Sequence, residues 1–483
     1  MPEMIDNPAG ISAEEFPLPM GVDEETGRTL PGFAEPDLDR IDGDPSDVSE
    51  RGERGAADHL AIADIDPNNL AEAGWCVIYA AGVAQAVKDA LQPLLKHRES
   101  QAGRLFRIFD GSSAIQPDEQ AKAWVERHEA GFSVVDPENG VPLYVLLVGS
   151  PVQIPFEFQY LLDLYWSVGR LDFDTPEEYE RYARTVVDYE TSASVPTRKK
   201  AAFFTVKNDG DRATGLLHNQ VIVPIVNGAP KIRTLQGFKG FHVQPLLAEN
   251  ATKERLASLL AGKEPGGLPA FLFTGSHGIR AKLTDPKLRD KQGAILCQDW
   301  PGFGAVQPEH LFTGDDIPAG AQLNGLIHFF FACYGGGCPA NDNFEVAPGG
   351  KPKPLMPEPV VARLPQRMLN HGALASFAHV ERAWAYSFQN SRSAPQVQEM
   401  RDVMVRIFQG QRLGQAIDGF NMRWAVLSAD LQEAQALRAS IPTAVSAASL
   451  ANRWVARNDA RNYIVIGDPA VQLRTDVMAG MEP

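Results

Sequence analysis

The sequence predicts an α/β protein with a mostly parallel sheet and helices on both faces. Three observations carry this. From Gly74 onward, apolar runs of strand length alternate with stretches of helical periodicity, the pattern left by a parallel sheet. The alternation occurs twice, on either side of a polar and basic joint at residues 192–200. Two of the apolar runs also stop abruptly at small residues, as buried strands do where they deliver a loop to a sheet rim.

The elements follow in order. Residues 75–80 read as a strand, and residues 83–96 set Val83, Val87, Leu91, Leu94 and Leu95 at helical spacing. A strand at 105–109 ends at Asp110-Gly111; a helix at 116–128 then precedes a strand at 143–148. The helix over 174–190 opens Asp174-Thr175-Pro176-Glu177-Glu178, which supplies an N-cap, a first-turn proline and acids that suit the helix dipole. The second half predicts a strand at 201–206, a helix at 212–226, a strand at 240–246 and a helix at 250–260 capped by Asn250 or Thr252. A strand at 271–274 follows, and 293–302 reads as half of a hairpin. Residues 364–369 form a short helix with Pro365 in its first turn, and 373–378 a strand. Helices at 397–408 and 413–437 lead to a closing strand at 462–466.

Composition narrows the class. Of 483 residues, 44% are apolar and 22% charged, as in an ordinary globular protein. The net charge of −16 is uneven: residues 1–50 hold 14 acidic and two basic side chains, and the remainder carries only −4. No basic stripe interleaved with aromatics appears, so no nucleic-acid partner is expected. The longest apolar runs, at 326–333 and 144–148, are too short to span a bilayer, and no membrane partner is expected. The first residues lack a basic and apolar leader pattern, and four cysteines make no disulfide framework. The expected compartment is a reducing cytoplasm. Residues 1–70, rich in Asp, Glu, Pro and Gly, are expected to be disordered or loosely draped. A sharper reading makes them a pro-segment over the functional site, cut at Arg28, Arg40, Arg51 or Arg54.

The chemistry sits in two motifs. Phe271-Leu272-Phe273-Thr274-Gly275-Ser276-His277-Gly278 ends one strand, and Leu326-Ile327-His328-Phe329-Phe330-Phe331-Ala332-Cys333-Tyr334-Gly335-Gly336-Gly337 ends another. If the strands are neighbours, His277 and Cys333 meet as general base and thiol nucleophile. A free thiol is largely protonated at neutral pH, so an imidazole must take its proton, and the glycines leave backbone N–H groups free for an oxyanion. An isolated Cys at a strand end is more often an inert core residue. The pairing of both residue types at strand ends, 56 residues apart in the order His-Gly then Ala-Cys-x-Gly, matches the caspase spacing. Three other chemistries fit less well. A metal on His328, Cys333 and Cys338 lacks a fourth ligand nearby. A phosphate loop at 334–337 lacks a following Lys-Ser/Thr, and a Cys333–Cys338 redox pair has the wrong spacing.

Further blocks carry a family resemblance. These are the strand and loop Tyr144-Val145-Leu146-Leu147-Val148-Gly149-Ser150-Pro151, the strand Ser167-Val168-Gly169-Arg170-Leu171 with a helix ending Tyr189-Glu190, and Asn462-Tyr463-Ile464-Val465-Ile466-Gly467-Asp468-Pro469. With the His277 and Cys333 motifs they resemble the gingipain-type branch of the caspase-fold cysteine peptidases and the related CHAT domains, over residues 71–475. The triple glycine after Cys333 departs from the single-glycine loop of many relatives.

The resemblance implies a three-layer α/β/α fold in two α/β subdomains. Its divisions would be an acidic segment at 1–70, an N-terminal subdomain at 71–195, a catalytic subdomain at 196–475 and a tail at 476–483. It implies a cysteine endopeptidase acting on a polypeptide substrate without cofactor or metal, with the backbone N–H groups of Gly278 and Cys333 as oxyanion hole. An activating partner is left open. In this family the segment after the strand at 373–378 lines substrate pockets, which makes Arg382, Trp384 and Tyr386 candidates. Gingipains take Arg or Lys at P1 through acids near the Gly-Arg strand, and Glu157 and Asp163 lie there in this sequence. Asp299 and Trp300, otherwise turn residues, are candidates for a pocket wall. The rival readings are a catalytically silent caspase-fold signalling adaptor and a nucleotide-binding α/β protein.

Overall fold

The computed structural model describes residues 18–31, 64–347, 351–388 and 397–480. Its centre is a ten-stranded sheet. In chain order the strands are β1 (Trp75–Tyr79), β2 (Phe106–Phe109), β3 (Tyr144–Val148), β4 (Ser167–Leu171), β5 (Arg198–Thr205), β6 (His242–Leu247), β7 (Pro269–Gly275), β8 (Ile327–Phe331), β9 (Ala375–His379) and β10 (Tyr463–Gly467). They lie side by side as β2-β1-β3-β4-β10-β9-β8-β7-β5-β6. Strands β1 to β4 pair in parallel, as do β5 to β9, and β10 is antiparallel to β9. The last strand in the sequence thus inserts between the two halves, pairing with β4 on one side and β9 on the other.

The apolar runs are continuous because both faces of the sheet are covered. Every residue of β1, β3, β4, β7, β8, β9 and β10 is buried, although successive side chains point to opposite faces. The helices that bear on the site and its frame are α1 (Gln92–Ala102), α2 (Phe156–Leu162), α3 (Pro176–Thr191), α4 (Arg212–Leu216), α5 (Lys253–Leu260), α6 (Arg363–Asn370) and α7 (Asp418–Ser440). From α7, Phe420 reaches the sheet, its ring centroid 5.4 Å from Phe377 and 4.4 Å from Tyr463. Burial of one such ring stabilises the fold by roughly 1.5–3 kcal/mol.

Local sequence chemistry sets the boundaries. The α3 start forms as expected: Thr175 Oγ1 accepts from the Glu178 N–H, and Glu178 Oε2 accepts from the Thr175 N–H. The expected helix over 83–96 is instead two, Gln85–Ala90 and α1. Pro93 has no N–H for the carbonyl four residues back, so the ladder breaks there. The expected helix over 116–128 is confined to Ala121–Arg127. The one over 212–226 forms as α4, a π-helical stretch at Leu217–Ile222 and a last helix at Val223–Asn227. Pro224 again removes an i to i−4 donor, which the wider turn accommodates.

The Tyr-Glu and Gly-Asp-Pro blocks build a buried clasp at the start of β1. Arg98 of α1 donates through Nε to Asp468 at 2.7 Å and through both Nη to Glu190, while the Trp75 Nε1–H donates to the other Asp468 oxygen at 3.0 Å. The Tyr182 hydroxyl accepts from the Asp468 N–H and donates to the Leu374 carbonyl just before β9. A side chain at Gly169 would sit 2.2 Å from the Gly467 carbonyl oxygen, so the neighbouring backbones touch there.

Residues 18–31 are not loosely draped. Gly21–Asp23 forms a strand paired in parallel with Gly278–Arg280, and Arg28 is exposed in the turn that follows. Arg40, Arg51 and Arg54 lie outside the described residues.

Candidate active site

Strands β7 and β8 are neighbours, with Gly275 opposite Phe331. His277 and Cys333 each come two residues beyond that pair, so both loops leave the same rim. The Ser276 N–H donates to the Phe331 carbonyl at 3.2 Å and keeps the loops in register. Gly278 is obligatory here, because a Cβ would lie 1.8 Å from the Cys333 carbonyl oxygen.

His277 is 1% exposed, and its Nε2 lies 2.7 Å from Asp211 Oδ2. Asp211 is the N-cap of α4, where it accepts from the backbone N–H groups of Ala213 and Thr214 and from the Thr214 hydroxyl. Burial alone would raise this carboxyl, but the His277 ring and these donors hold it well below the usual carboxylate range. A carboxylate on Nε2 keeps the ring proton there. The other nitrogen, Nδ1, is buried without a hydrogen-bond partner and is left as the acceptor. Asp211 was missed by the sequence reading. The signal was present: an N-cap aspartate opening the helix after β5, whose last residue, Thr205, pairs with Gly275.

Cys333 is fully buried, and its thiol donates to the Ala383 carbonyl at 3.6 Å. Burial pushes it up to about 12, with the Arg382 guanidinium pulling the other way. The next residue, Tyr334, has φ of +63°, and its N–H donates to the Glu381 carbonyl at 2.6 Å. The triple glycine then lets the loop lie flat. A Cβ on Gly335 would meet the Phe330 ring at 2.8 Å, and one on Gly337 the Phe156 ring at 2.6 Å.

Two N–H groups converge on one oxygen at this rim. Those of Gly278 and Cys333 donate to the Met20 carbonyl at 2.9 and 3.1 Å. Beside them a cleft of 500 Å³ opens along His277, Asp211, Arg212, Trp300 and Phe303.

The pocket candidates divide. Trp384 is at the rim, its backbone bridged to Pro19 and its ring 5.0 Å from Phe344. Arg382 is also there, but it is taken up by Asp342 at 2.6 Å, Glu345 at 3.0 Å and the Pro31 carbonyl. Asp163 is not: it is buried at the start of β4, where it accepts from the Val168 N–H, and burial holds its carboxyl well above the usual range. Asp299 is a turn residue, exposed and accepting from the Lys253 N–H at the start of α5, whereas its neighbour Trp300 does line the cleft. Glu157 is exposed in the first turn of α2, and the Tyr386 side chain lies outside the described ones. His328 is a core residue, its nitrogens facing the Thr274 and Ser376 hydroxyls and its ring pushed down to about 3 by burial.

No family model and no curated protein matches this chain. Among solved structures it is similar to one described as "Structure of Protease", with 15% identity, a TM-score of 0.48, and 86% of this chain and 80% of that one covered. It is also similar to the Arg-specific cysteine proteinase gingipain R (12% identity, TM-score 0.48, 83% and 79% covered). A third is the complex of the Porphyromonas gingivalis RgpB pro- and mature domains (13% identity, TM-score 0.47, 83% and 80% covered). Among the described residues, no helix is long and apolar enough to cross a membrane.

Proposed function

We propose that the chain is a cysteine endopeptidase in which Cys333 attacks the scissile carbonyl and His277 takes and returns the proton. The observation that supports this best is the convergence of the Gly278 and Cys333 N–H groups on one carbonyl oxygen, beside a histidine oriented by Asp211. Two such donors stabilise the oxyanion of a tetrahedral intermediate, each by roughly 2.7–4 kcal/mol. With its Nε2 proton held by Asp211, His277 accepts the thiol proton on Nδ1, and the aspartate then stabilises the imidazolium. The substrate is a polypeptide in extended form. A basic P1 preference has no support from Asp163, which is folded away from the cleft.

The test compares wild type with Cys333→Ala on a proteome digest by sequencing new N-termini. Cleavages are expected from wild type alone, and cleavages that persist in the variant would rule out this mechanism. The second reading, a silent caspase-fold module, is favoured by one observation, the complete burial of Cys333. An acyloxymethyl-ketone probe separates the two: a peptidase is labelled at Cys333, and a silent module is not.

A further inference from the structure

The oxygen in the proposed oxyanion hole belongs to the chain itself, and the segment around it is laid out as a peptide substrate would be. On the N-terminal side of Met20 the backbone adds antiparallel to residues 383–385: the Met20 N–H donates to the Ala383 carbonyl at 2.7 Å, the Ala385 N–H donates to the Leu18 carbonyl at 3.1 Å, and Pro19 bridges to Trp384. This is recognition by strand addition, in which backbone bonds fix the frame and pockets read the side chains. On the C-terminal side, Gly21–Asp23 pairs with Gly278–Arg280. Between the two arms the Met20 carbonyl sits on both donors, and the Cys333 sulfur lies against Gly21, so close that a Cβ there would be 2.8 Å from Sγ. The Met20 side chain is fully buried in the position that a P1 residue would take.

We propose, resting on the peptidase reading above, that residues 18–23 are the enzyme's first substrate, that Cys333 cleaves the Met20–Gly21 bond in cis, and that the uncut segment closes the site to other peptides. The subsites read from this pose take an apolar P1 side chain and a P1′ glycine. The step balances without a co-reactant other than water. The thiol proton passes to His277 Nδ1, and the sulfur bonds to the Met20 carbonyl carbon. Collapse of the intermediate breaks the bond to the Gly21 nitrogen, which takes the proton from His277 and leaves as an amine. Water then hydrolyses the thioester, giving a Met20 carboxylate and restoring the thiol. The new Gly21 end stays docked, because Asp23 pairs with Arg280 at 2.9 Å and Glu24 with Lys291 at 2.5 Å. Residues 18–20 lose their covalent tie, and their remaining backbone bonds to this rim are those already named.

The experiment uses the full chain as wild type, Cys333→Ala and Gly21→Val, with N-terminal sequencing during incubation and a proteome digest in parallel. Wild type is expected to acquire Gly21 as its N-terminus while Cys333→Ala stays intact. Gly21→Val, whose new side chain collides with the sulfur, is expected to remain uncut at this bond and to cleave the proteome at least about as fast as processed wild type. A wild type that cleaves the proteome but keeps the Met20–Gly21 bond, or cuts itself after Arg28 instead, overturns the inference and leaves the peptidase reading standing. A wild type inert toward both overturns the two together. A Gly21→Val chain that is folded by circular dichroism yet cleaves nothing overturns the closing role of the segment.

Discussion

His277 and Asp211 are joined by a 2.7 Å hydrogen bond between Nε2 and Oδ2, and the same carboxylate caps the helix that begins at the next residue. One side chain therefore fixes both the ring and the element behind it. Asp211→Asn keeps a capping oxygen but loses the charge that stabilises the imidazolium. Its turnover of a peptide substrate is expected to fall roughly 10²–10⁴-fold, with a melting temperature near that of wild type. Asp211→Ala should lose the same activity and, in addition, about 1 kcal/mol of stability. Parallel kinetics and melts of the two variants check this.

The buried Cys333 thiol sets a pH dependence for its own modification. With the thiol raised to about 12, thiolate is scarce at neutral pH, and its fraction grows about tenfold per pH unit well below that value. Alkylation of Cys333→Ala-controlled samples by iodoacetamide should therefore rise about tenfold per unit between pH 7 and 9 while residues 18–31 stay seated. A rate that bends over by about pH 9 would show that the thiol titrates as an ordinary one.

Glu381 contributes to stability with the opposite sign from most carboxylates. Burial raises it to about 7, with the Arg461 guanidinium pulling it down. Between pH 4.5 and 7 the folded chain then holds more protons than the unfolded one, so stability is lost as pH rises through this window. The loss is on the order of 3 kcal/mol. Urea melts from pH 5 to 8 should show that extra slope in wild type and not in Glu381→Gln, which keeps an acceptor for the Asn462 amide.

The Arg98 clasp is structural and lies where β1 begins, away from the ends of β7 and β8. Arg98→Met leaves Asp468 and Glu190 buried without their cation, and should cost about 3–5 kcal/mol. The alkylation rate of Cys333 in the folded variant should stay within about twofold of wild type, read by mass spectrometry well below the melting temperature.

What the sequence made legible follows from range. Strands β7 and β8 are apolar runs of the right length, and the residues just past them, His277 and Cys333, needed only the assumption that the two strands are neighbours. Asp211 lies 66 residues from His277, and their pairing depends on β5 lying beside β7, which no local pattern encodes. Residues 18–31 were harder still. Their composition reads as a solvated tail, because their hydrogen-bonding partners are supplied by residues 278–280 and 383–385 and their acidic side chains by Arg280, Lys282 and Lys291. Asp163 misled for the converse reason: proximity in sequence to the Gly169-Arg170 strand said nothing about which end of that strand it would cap.

The Arg382 grip on the Pro31 carbonyl spans 351 positions. Residues 18–31 therefore dock only on elements that lie hundreds of positions later in the chain, so seating them closes one of the longest loops in the fold and waits on the assembly of both rims of contact, 278–280 and 383–385.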